Sequence, residues 1–162
     1  MRRSSSGIWI VVCGLVASGC GGVSDFEGLW AARSESGTSS CAGEYEFEDP
    51  DFTIRLREGA DADLEYVSLD PMDLSKETCV QEFSVDGDVA EIEAGQDCTY
   101  EYEGVDDAGQ PVTITDHLSF SRDRLELDGD SLRETGESLR VSSDGAECTV
   151  EFEIDFRRVD DA

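Results

Sequence analysis

The chain has 162 residues, with 12 Lys and Arg against 39 Asp and Glu and a formal net charge of −27. So large an acidic excess argues against nucleic acid as a partner and against a domain face lying on anionic lipid. Six cysteines with a single histidine, and no C-x-x-C step, argue against zinc.

The first residues read as an export signal: a basic "MRR", a short polar lead-in, then the apolar run "IWIVVCGLV", broken only by Gly14. That run is shorter than the roughly 20 apolar residues a bilayer-spanning helix needs. It ends in Ala17-Ser18-Gly19-Cys20, which resembles the bacterial lipobox, with Ala17 where Leu is usual. The resemblance implies a signal peptide over 1–19, a diacylglyceryl group on Cys20 and a membrane anchor of several acyl chains, palmitate among them. Each buried CH₂ of such an anchor contributes ~0.8 kcal/mol. Gly21 stands where inner-membrane retention would place Asp, so the outer membrane is the expected address, on its periplasmic side or at the cell surface. Arg2 and Arg3 are the only charges before Cys20, so a mature chain keeps all 39 acids. A linker over 20–25 then leads into one domain, 26–162, held within about 20 Å of the bilayer at ~3.3 Å per extended residue. The length suits a single core.

From there the chain is nearly all strand signal. "EYEFE" sets Tyr45 and Phe47 between Glu44, Glu46 and Glu48, and "FTIRLR" resumes the alternation beyond Asp49-Pro50-Asp51. "LEYVSL", "CVQEFSV", "VAEIE", "CTYEY", "VTITDHLSF", "RLEL" and "SLRV" follow. The clearest case is "CTVEFEIDFRR", where Val150, Phe152, Ile154 and Phe156 alternate with Thr149, Glu151, Glu153 and Asp155. This alternation distinguishes the chain from a disordered acidic tail. Turn signals separate the runs, among them Asp86-Gly87-Asp88, Asp128-Gly129-Asp130 and Asp144-Gly145. Only "PMDLSKET" suggests a helical turn. The expected fold is all-β, an antiparallel meander closed as a single barrel or, alternatively, folded as a sandwich. Cys13 leaves with the signal and Cys20 takes lipid. Cys41, Cys79, Cys98 and Cys148 remain, an even number in an exported chain, so two disulfides are expected among three connectivities.

Gly28-Leu29-Trp30, opening the first strand, resembles the Gly-x-Trp start of lipocalin-like proteins. The resemblance implies that Trp30 plugs the closed end of a barrel and that an Arg of the last strand lies across it. Extending the phase of Val150 through Phe156 makes that residue Arg158. In such a barrel the first and last strands pair, which implies Cys41–Cys148 and leaves Cys79–Cys98. A lumen would then be lined by Tyr45, Phe47, Tyr100, Tyr102, Ile114 and Phe120.

Chemistry is sparse. His117, the one histidine, falls on the presumed polar face, and no G-x-S-x-G elbow occurs. Asp116 is in phase with Val112, Ile114, Leu118 and Phe120. In a lumen it would contact ligand, but a bulge near Asp116 or an aqueous barrel mouth is the preferred reading. Gln81 is a similar, weaker case beside Phe83 and Val85. The Asp-Gly-Asp steps lack calcium-loop spacing and read as hairpin turns. The expectation is a non-catalytic lipoprotein without cofactor or metal, anchored through Cys20 and binding a small apolar or amphipathic ligand. The alternatives are a filled-core structural or protein-interaction lipoprotein and, third, a carboxylate-based enzyme.

Overall fold

A computed structural model describes residues 22–159 except 94, 106–108 and 144. The export signal, Cys20 and the first residues of the linker lie outside the described residues. A single helical turn, α1 (Val23–Phe26), comes first, so part of the stretch read as linker is helical. The Asp25 carboxylate accepts the Gly22 backbone N–H at 3.1 Å, and Phe26 is fully buried.

Ten strands follow: β1 (Gly28–Ser39), β2 (Gly43–Glu48), β3 (Thr53–Glu58), β4 (Leu64–Asp70), β5 (Asp73–Asp86), β6 (Val89–Ile92), β7 (Asp97–Val105), β8 (Pro111–Asp128), β9 (Ser131–Ser142) and β10 (Glu147–Val159). They form a closed eight-strand antiparallel barrel, the barrel rather than the sandwich of the two expected folds. The circuit runs β1-β3-β4-β5-β6-β8-β9-β10 and returns to β1. The two remaining strands extend positions already counted. β1 pairs with β3 through Gly28–Ala31 and with β2 through Ser34–Ser39, the Asp49-Pro50-Asp51 step separating the two partners. β8 likewise pairs with β7 and then with β6.

Local chemistry explains the joins. β5–β6 and β8–β9 are two-residue hairpins over Gly87-Asp88 and Gly129-Asp130, each with its Gly at positive φ. These are the Asp-Gly-Asp steps read as turns. "PMDLSKET" is not helical. Pro71 and Met72 make a turn, and Asp73 begins β5, where pairing with β4 and the bridge at Cys79 override local propensity. Cys41–Cys148 ties the β1–β2 turn to the start of β10 with Cα atoms 5.6 Å apart. Cys79–Cys98 ties β5 to β7 with Cα atoms 5.7 Å apart.

The barrel is filled at the end nearer α1. Trp30, Ile54, Leu56, Leu64, Phe83, Leu125, Leu132 and Phe156 pack there in one cluster with Phe26. At that floor the Arg158 guanidinium carbon lies 4.5 Å from the centroid of the Trp30 ring. Arg158 also donates to the carbonyls of Glu27 and Asp25, and the Trp30 indole N–H donates to the Phe26 carbonyl at 2.9 Å. Gly28 is required beside this contact. Its φ is +141°, and a Cβ there would stand 3.2 Å from Nη1 of Arg158.

Candidate functional site

Above that floor the lumen is not filled. A cavity of about 420 Å³ occupies the half of the barrel away from α1. Its walls are apolar and largely aromatic: Phe47, Phe52, Phe120, Val150, Phe152 and Ile154. Phe47 is 54% exposed and marks the mouth. Gly136 makes room for this wall, because a methyl group there would collide with the Phe152 ring.

The cavity bottom is polar. The Tyr66 hydroxyl of β4 donates across the lumen to Glu134 Oε2 of β9 at 3.0 Å, a strut between core and cavity. Glu134 is 3% exposed, and burial pushes its pKa up to about 7. Asp123, one row away on β8, is equally buried, and neither of its oxygens meets a conventional hydrogen-bond partner. Burial, then repulsion from Glu134, raises its pKa well above the carboxylate range. Two facing carboxyls this deep share a proton, because both cannot ionise together. Tyr66 is itself raised well above the usual phenol range, by burial first and then by Glu134.

Glu35 is a third acid on the wall. It sits opposite Ile154, which in turn sits opposite Glu134, so the two glutamates flank Ile154 in one row of the sheet. Burial raises Glu35, the Tyr45 hydroxyl partly offsets this, and Tyr45 is pushed up to about 12. Ser68 and the Tyr100 hydroxyl share a hydrogen bond at 3.3 Å on the facing wall. Gln81 is 2% exposed, with its amide nitrogen unpartnered.

Of the residues expected in a lumen, Tyr45, Phe47, Tyr100 and Phe120 line this cavity. Tyr102, Ile114 and Asp116 do not; they stand on the β7–β8 hairpin beyond it. Ile114 packs near Gly104, and the Tyr102 hydroxyl accepts from Arg140 at 2.9 Å. Asp116 keeps its inward phase, without the bulge or aqueous mouth preferred for it. It is 5% exposed and forms an ion pair with Arg140. The bulge in β8 comes later, between Phe120 and Arg122. Gln81, noted as a weaker case, lines the cavity. His117 is exposed and shares a hydrogen bond with Thr99 Oγ1 at 3.0 Å.

The inward acids Glu134, Asp123 and Glu35 escape a reading of alternation. Glu35 and Asp123 each follow a bulge, at Ala32–Ser34 and at Phe120–Arg122, that inverts the phase of the strand. Glu134 lies in the inward series Leu132, Glu134, Gly136, Ser138, Arg140, whose only apolar member is its first. Leu132 two residues away is the one signal that could have found it. Among the described residues no group of three or more His, Cys, Asp or Glu is placed to hold a metal ion. Compared with family models, curated proteins and solved structures, the chain matches none.

Proposed function

We propose that this protein is an exported lipoprotein, anchored to the bacterial outer membrane through Cys20, whose barrel lumen binds a small amphipathic molecule. One observation carries the reading: a cavity of about 420 Å³ with aromatic walls and a polar bottom, in a barrel whose other half is packed solid. Concave, mostly apolar sites with a few convergent polar groups are the usual form of small-molecule sites. A filled-core interaction protein has no use for such a void. The lipocalin-like resemblance at Gly28-Leu29-Trp30 supports the same reading through the Trp30–Arg158 floor.

A carboxylate enzyme is the second reading, favoured by the buried Asp123–Glu134 pair beside the cavity. Glycoside chemistry needs two carboxyls flanking the bound substrate. Asp123 is not on the cavity wall, and one oxygen of Glu134 is held by Tyr66. A ligand would meet one carboxyl of that pair, which suits binding better than acid–base catalysis.

A native mass spectrum of the protein, gently purified from an oxidising compartment, tests the reading. Extra mass that leaves on denaturation is the expected result. A bare mass from every preparation, with the lumen also refusing added amphiphiles, would point to the interaction protein instead.

A further inference from the structure

Resting on that reading, we infer that the lumen is built for an organic amine with an apolar body, its ammonium group seated between Glu35 and Glu134 and its body against the aromatic wall.

The first argument is charge balance inside the cavity. Glu35 and Glu134 are its acids and Arg140 its one cation. Arg140 is already engaged by Asp116 and Tyr102, so it neutralises neither glutamate. Glu134 and Asp123, both buried, and Glu35, half-buried, have no basic partner, an arrangement that burial disfavours unless a proton or a cation enters. A bound ammonium ion supplies the missing charge.

Spacing is the second argument. Glu35 and Glu134 lie on either side of Ile154, two strand positions or about 10 Å apart along the curved sheet. Their side chains point inward toward a common space that a compact cation can bridge. Third, the walls carry the aromatic rings of Phe52, Phe120, Phe152 and Tyr45, and such rings attract a desolvated cation as well as an alkyl chain. A cavity lined this way on so acidic a chain also draws cations toward its mouth.

Three probes with one tail decide the matter: octylamine, octanol and octanoate, titrated calorimetrically into the purified protein at pH 8. Sodium chloride at 0.5 M screens loose attachment of cations to the acidic exterior. The expected result is one octylamine per chain, bound at least tenfold more tightly than octanol, with octanoate not bound. Glu35→Gln and Glu134→Gln should each remove most of the preference for octylamine over octanol. Glu35, half-buried, can be replaced without touching the Tyr66 strut, so the test survives if Glu134→Gln fails to fold. Octanol or octanoate binding as tightly as octylamine would overturn the amine inference and leave the lumenal site standing. Binding of none of the three would overturn both.

Discussion

Glu134 gives the fold an unusual response to pH. In the folded chain its pKa stands at about 7, against an ordinary value of 4.5 that the unfolded chain regains in water. Between those values the folded state keeps a proton that the unfolded state has released, so stability falls as pH rises through that window. Asp123, Glu35 and Tyr66 face it, and all are shifted upward, so none opposes the trend. Thermal unfolding should therefore show stability greatest near pH 5 and lower at pH 8 by on the order of 3 kcal/mol. Glu134→Gln should flatten that slope, and a variant as steep as the parent would refute the assignment. At the floor, Arg158→Lys keeps the charge but loses the planar fork that reaches two carbonyls while covering Trp30. Urea unfolding should show a loss of about 1–3 kcal/mol.

Among the elements, β10 is the most legible, because its inward Val150, Phe152, Ile154 and Phe156 are uninterrupted by a bulge. β9 is the least legible. Its inward face carries Glu134, Gly136, Ser138 and Arg140, since it faces a cavity rather than a core, and period-two apolarity disappears. β1 and β8 hide their acids differently: each changes phase once, and nothing in the run of residue types marks where. Architecture was therefore readable from the apolar strands and the Asp-Gly turns. The site was not, because it is made where alternation fails. The two disulfides should differ in worth. Cys41–Cys148 spans 107 residues and Cys79–Cys98 spans 19. In the chain-entropy account, replacing the first pair by serine costs about 4–5 kcal/mol and the second about 3 kcal/mol. Comparing the two double-serine variants by urea unfolding checks the order; the reverse order would mean that the short bridge relieves a local weakness where β7 leaves the closed circuit.

For the molecule as a whole, repulsion is the dominant electrostatic fact. Arg57, Arg124 and Arg133 each meet two or more acids, and still 39 acids face 12 bases across the chain. Most of these pairs are exposed and contribute little individually. Screening the excess should help more than breaking the pairs hurts. Raising NaCl from 0.02 to 0.5 M at pH 8 should thus lift the melting temperature by several degrees, on the order of 1 kcal/mol for a domain this size. A fall instead would show that the ion pairs outweigh the repulsion.

The helical turn α1 closes one end of the barrel, and the cavity opens at the other, beyond Ser39 at the far end of β1. Trp30 and Ser39 are nine residues apart on that strand, roughly 30 Å at full extension. If Cys20 carries the anchor, the lipid is tethered beneath the plugged end, and the doorway looks out into the aqueous compartment. Cargo could not then slide sideways out of the bilayer into the lumen. It would have to cross water alone, so the molecules this barrel can serve are those soluble enough to make the trip.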